Sequence, residues 1–171
     1  MAYFRDSSGF TVIELMVAIA VVAILLTVGV PSFASLIERQ QLSGAAQTFA
    51  SDLRRAKSDA IARGPGGSVT VTLASDSSAG TWSYAITNSG TAPTKNVSQD
   101  NFSGVTAAIS GWGVSGGSAA FSMQAVRGLS AAGEGSITFS SGTASLTVER
   151  NLAGRVRICS ATGDFGYSSC S

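Results

Sequence analysis

Residues Phe10 to Val30 read FTVIELMVAIAVVAILLTVGV, an apolar run of 21 residues with a single charge, Glu14. At 1.5 Å per residue a helix of this length spans about 31 Å, close to the hydrocarbon thickness of a bilayer. Only the short polar stretch Met1–Gly9, carrying Arg5 and Asp6, precedes it. Three readings compete for such a run. A secretory signal has an apolar core of about 7–15 residues and then a small-residue cleavage site. Here the run is longer, and beyond Pro31-Ser32-Phe33-Ala34 the sequence continues as a patterned helix. A plain membrane anchor fits the length but leaves Glu14 unexplained. A carboxylate in the apolar region costs about 2.5–3.5 kcal/mol on insertion scales and tends to mark function. The third reading is a segment that first sits in the membrane and later packs against copies of itself.

Composition narrows the chemistry. The chain has no histidine, which excludes a Ser-His-Asp triad, a Cys-His dyad and a His-ligated zinc. Two cysteines are too few for a Cys-only zinc or iron–sulfur site. No metal or other cofactor is expected. No G-x-S-x-G elbow or comparable constellation is present, so no enzyme is expected either. The net charge of +1 is not that of a bulk nucleic-acid binder.

From Ser32 onward the apolar positions are Phe33, Leu36, Ile37, Leu42, Ala45, Ala46, Phe49, Leu53, Ala56, Ala60 and Ile61. Steps of three and four put them on one helical face. Charged and polar residues, among them Glu38, Arg39, Asp52, Arg54, Arg55, Lys57, Asp59 and Arg63, fill the other. Arg54, Arg55 and Arg63 are open to two readings, a functional patch or a solvated helix face, and the second is favoured. Gly64-Pro65-Gly66-Gly67 ends the helix, which is expected from about Thr11 to Arg63. Pro31, close after Gly29, weakens the backbone hydrogen bonds near residues 27–31.

After the glycines the period changes to two. Strands are expected at Val69–Leu73, Thr81–Thr87, Val105–Ile109, Ala120–Met123, Ser136–Phe139, Leu146–Arg150 and Arg155–Cys159. The polar stretch Thr91–Gly104 reads as a surface loop. Trp82, Tyr84, Phe102, Trp112, Phe121 and Phe139 are expected in the core, completed by the apolar face of the second helical half. The fold class is α+β. A long N-terminal helix, apolar in its first half and amphipathic in its second, packs on a C-terminal antiparallel, sandwich-like β domain.

The run Gly9-Phe10-Thr11-Val12-Ile13-Glu14-Leu15 resembles the class III signal of type IV pilins and type II secretion pseudopilins. The resemblance implies cleavage after Gly9 by a prepilin peptidase and N-methylation of Phe10. Glu14 would neutralise the N-terminal amine of a neighbouring subunit, giving a buried carboxylate the partner it needs. Pro31 stands where many such pilins carry a helix-perturbing proline. The domain reading is then leader 1–9, packing helix 10–31, amphipathic helix 32–63 and β domain 64–171. The subunit would wait in the inner membrane with its C-terminal domain in the periplasm, and join other major and minor pilins in a surface fibre. In that oxidising compartment pairing of Cys159 with Cys170 is favoured. A loop this short contributes about 3 kcal/mol and pins Ser160–Tyr167 back onto the strand of Cys159.

Gly154-Arg155-Val156-Arg157 stands just before this bridge. In a strand Arg155 and Arg157 project together, while Val156 and Ile158 face the other way. Paired guanidinium groups suit phosphates, and Arg150 is a further candidate. The alternatives are pairing with Glu149 or Asp164, or plain solvation. The layout resembles the FimT/FimU/GspH family of minor pilins and pseudopilins, and the Gly-Arg-x-Arg run resembles its DNA-binding FimT type. That implies a minor pilin near the tip of a type IV pilus that captures extracellular double-stranded DNA for uptake in natural transformation. The other expectations are a purely structural or priming minor pilin, or a type II secretion pseudopilin. Beyond Arg63 the positive residues (Lys95, Arg127, Arg150, Arg155, Arg157) and the negative ones (Asp76, Asp100, Glu134, Glu149, Asp164) balance. Any DNA binding must therefore come from a local patch and weaken with salt.

Overall fold

The structure is a computed structural model that describes residues 9–76, 78–88, 93–124, 133–161 and 163–170, apart from the side chains of 28–32 and 164. The leader residues 1–8, Arg127, and the side chains of Pro31 and Asp164 thus lie outside the described residues. The elements are a helix α1 (Val12–Ala62) and eight strands: β1 (Ser68–Asp76), β2 (Thr81–Asn88), β3 (Pro93–Ser98), β4 (Thr106–Gly111), β5 (Ser118–Gln124), β6 (Gly135–Ser141), β7 (Ala144–Arg150) and β8 (Val156–Cys159). Short 3-10 turns stand at Gln99–Asn101 and Asp164–Gly166. The chain forms two compact units, Met1–Ile37 and Glu38–Ser171.

In the first unit the helix starts on Thr11, whose hydroxyl accepts the Glu14 backbone N–H at 3.3 Å and whose carbonyl accepts that of Leu15. Thr-x-x-Glu is a capping pattern, and a carboxylate in the first turn suits the positive end of the helix dipole. Beyond it the apolar side chains are exposed in every direction, from Val12 at 76% to Leu26 at 57%. Among the described residues no helix is long and apolar enough to cross a membrane. The apolar run of the sequence extends to Val30, and its last residues fall among the side chains not described.

In the second unit the strands form two antiparallel four-stranded sheets, ordered β3-β2-β1-β5 and β4-β6-β7-β8. The inward residues of both sheets and one face of α1 make a single core. Period two puts Val69, Val71 and Leu73 inside on β1, and Ile137 and Phe139 inside on β6. Helical spacing puts Leu42, Ala45, Ala46, Phe49, Leu53, Ala56 and Ala60 there from α1. Phe49 sits at the centre, its ring edge-on to Tyr84 of one sheet at 5.0 Å and to Phe139 of the other at 6.0 Å. Trp82, Tyr84, Trp112, Phe121 and Phe139 are core residues as expected, and Phe102 is half-buried.

Two expectations need correction. The stretch read as a loop holds β3 and a 3-10 turn; residues 91–92 lie outside the described ones. β3 is an edge strand with one buried residue, Val97, so it carries no alternating pattern. Asp52, assigned to the solvated helix face, is 6% exposed. Its carboxylate accepts the Tyr84 hydroxyl and the Lys95 ammonium, each at 2.7 Å, which ties α1 to β2 and β3.

Candidate functional site

The hairpin between β7 and β8 builds the site. Its turn closes through Gly154 N–H to the Asn151 carbonyl at 2.8 Å, and the Asn151 side chain accepts the Arg155 N–H at 2.9 Å. Gly154 is buried with φ +70°, a left-handed conformation that strongly favours glycine. The glycine of the Gly-Arg-x-Arg run is thus what lets the chain reverse immediately before the arginines.

Arg155 and Arg157 are both exposed and line one cleft of about 550 Å³. Strand register places a row across the cleft floor: Ser110 opposite Ser136, Ser136 opposite Glu149, Glu149 opposite Arg157. Cross-strand neighbours interact directly, and Arg157 Nε donates to Glu149 Oε2 at 2.7 Å. Of the pairings open to these arginines, the one with Glu149 is formed; the Asp164 side chain lies outside the described residues. Glu134 lines the same cleft, so it holds carboxylates beside guanidinium groups.

Arg150 does not join them. Period two turns it inward, 1% exposed, with its guanidinium carbon 4.6 Å from the centre of the Phe121 ring. Its Nη2 donates to the Gly133 carbonyl at 2.8 Å, and burial pulls its pKa below the usual arginine range. A guanidinium enclosed in the core cannot reach a ligand on the opposite face, so Arg150 is removed from the candidate surface.

Cys159 and Cys170 form a disulfide. The tail it closes lies against α1: the Arg39 guanidinium stands 5.6 Å over the Phe165 ring, and the Gln47 amide donates to the Tyr167 hydroxyl at 3.0 Å. The Glu149 carboxylate also lies within 4.8 Å of both sulfurs, which the disulfide withholds from metal ligation. The processing and assembly candidates Gly9, Phe10 and Glu14 are all exposed at the start of α1.

Sequence reasoning named Arg54 only in a candidate patch with Arg55 and Arg63, and missed that Arg54 and Lys57 meet this hairpin. Lys57 Nζ lies 3.2 Å from the carbonyls of both Ala153 and Gly154, and Arg54 Nη2 lies 3.3 Å from that of Val156. The spacing of three put the two cations on one helical turn, but nothing local in the sequence pointed to residues 153–156.

Residues 4–30 match the family described as prokaryotic N-terminal methylation motif. Residues 45–166 match the family described as type II transport protein GspH. Among solved structures, that of the minor pseudopilin EpsH from the type 2 secretion system of Vibrio cholerae is similar, with 11% identity and a TM-score of 0.48 over 70% of this chain and 97% of that one. No curated protein matches.

Proposed function

The chain belongs to the GspH family of type II transport proteins, matched over residues 45–166, and from that premise we propose that it is a minor pilin of a type IV pilus. It is made as a membrane-anchored precursor, cut between Gly9 and Phe10 by a prepilin peptidase, N-methylated on Phe10, and assembled with other pilins. The observation that carries this reading is the first half of α1, apolar and exposed on all sides. Water does not tolerate such a surface; a bilayer or a bundle of like helices does. Glu14 then meets the free amine of a neighbouring Phe10. We read the subunit as structural and adhesive, with no catalytic role. If Glu14→Ala left recovery of the subunit in sheared fibres unchanged, the charge-partner role would be wrong.

The same family match equally supports a type II secretion pseudopilin. Deletion separates the two: a pilin's loss abolishes fibre-dependent phenotypes, a pseudopilin's loss abolishes export of secreted enzymes.

A second function on this scaffold, of the FimT type, is capture of double-stranded DNA. It is supported by Arg155 and Arg157, both exposed on one cleft two residues apart. Contact is with phosphates, since nothing in the cleft points to base reading. Double substitution of Arg155 and Arg157 to Gln is expected to abolish DNA shifts without changing the fold. Unaltered binding would remove the assignment.

A further inference from the structure

We propose that Arg54 and Lys57 of α1 belong to the same DNA surface as Arg155 and Arg157, which makes the phosphate-binding site a two-element basic ridge along the β8 edge. This rests on the DNA reading above and extends it to residues outside the Gly-Arg-x-Arg run.

The contacts fix the placement. Lys57 Nζ bonds the carbonyls of Ala153 and Gly154, the two residues before Arg155. Arg54 bonds the carbonyl of Val156, the residue between the two arginines. Each helix cation thus lies against the backbone that carries Arg155 and Arg157. Carbonyl acceptors leave the charges intact. An ammonium has three donors and a guanidinium five, so both keep donors for an anion. The contacts also hold long side chains in place before a ligand arrives, which lowers the ordering cost of binding.

Charge accounting points the same way. Among the described residues the ion pairs are Lys95–Asp52 and Arg157–Glu149. Arg54, Lys57 and Arg155 are in neither, so among the described residues no carboxylate lies at pairing distance from these three cations. The β domain is formally neutral, but residues 38–63 add five positive charges (Arg39, Arg54, Arg55, Lys57, Arg63) against three negative (Glu38, Asp52, Asp59). The helix supplies the local excess that the β domain lacks. A duplex, with one charge per about 1.7 Å of axis, is the polyanion suited to cations spread over two elements.

The test is a salt titration of DNA binding by the full chain in a nonionic detergent micelle. Variants are Arg54→Gln/Lys57→Gln, the charge-conserving Arg54→Lys/Lys57→Arg, and Arg155→Gln/Arg157→Gln. Each lost phosphate contact lowers the slope of log K against log salt by about 0.9, which is about eightfold in affinity at 0.1 M salt. The Arg54→Gln/Lys57→Gln protein is expected to lose between one and two such increments, and the charge-conserving protein to keep both slope and affinity. An unchanged slope in Arg54→Gln/Lys57→Gln, beside lost binding in Arg155→Gln/Arg157→Gln, overturns this inference and leaves the DNA reading standing. A weaker affinity at unchanged slope assigns Arg54 and Lys57 to holding the turn, and also overturns it. Absence of binding by the unaltered chain overturns both.

Discussion

Replacing Asp52 by alanine removes the acceptor that Tyr84 and Lys95 share. Two losses must be kept apart. The Tyr84 hydroxyl, in a residue 2% exposed, donates to Asp52 Oδ2 at 2.7 Å. Alanine strands that donor, at about 1–3 kcal/mol for a buried unsatisfied group. The Lys95 side chain is 46% exposed, so water screens its pair with Asp52; that pair contributes no more than about 1 kcal/mol. Alanine regains about 0.5 kcal/mol of helix propensity. The net cost is about 0.5–3.5 kcal/mol. Asp52→Asn keeps an oxygen for Tyr84 and loses only the charge, so it is expected to cost about 1 kcal/mol or less. Urea unfolding of the full chain in micelles, followed by fluorescence of the buried Trp82 and Trp112, measures both. Equal costs for the two variants, or an alanine cost below about 0.5 kcal/mol, would refute the claim that the stranded hydroxyl dominates.

Burial, then the hydrogen bond and charge of Asp52, hold the Tyr84 pKa far above its usual value of 10. That contribution is complete below about pH 10 and is lost as pH rises further, at up to about 1.4 kcal/mol per pH unit; Tyr84→Phe is expected to flatten this part of a stability curve run from pH 8 to 11.5. Glu149→Gln releases Arg157 from a partly exposed pair of about 0.2–1 kcal/mol, so DNA affinity is expected to rise by up to about fivefold in the same titration; weaker binding would argue against Glu149 as a competitor. A side chain added at Gly135 would collide with the Trp112 ring. Gly135→Ala is therefore expected to cost about 1–3 kcal/mol in urea unfolding.

What the sequence revealed tracks how local each determinant is. The faces of α1 were legible because Leu42, Phe49, Leu53, Ala56 and Ala60 recur at helical spacing. Asp52 was not, because its partners lie 32 and 43 residues away and only tertiary pairing brings them to it. β3 was missed because an edge strand with one buried side chain has no period to read. The common side of Arg155 and Arg157 follows from period two alone. Their neighbour Glu149 needs the β7–β8 register, and Arg54 and Lys57 need contacts spanning about a hundred residues.

The outer edge of β8 bears on a hazard that any polymerising subunit faces. A free strand edge is a template for strand addition, and subunits crowded into a fibre would meet such edges at very high local concentration. Here Arg54 occupies the Val156 carbonyl, and beyond β8 the disulfide-closed tail pairs Ser160 with Ser169. At the edge of the other sheet β3 begins on Pro93, which has no N–H, and carries Lys95. With these edges blunted, growth by uncontrolled sheet extension, the route to amyloid-like aggregates, is disfavoured at both places.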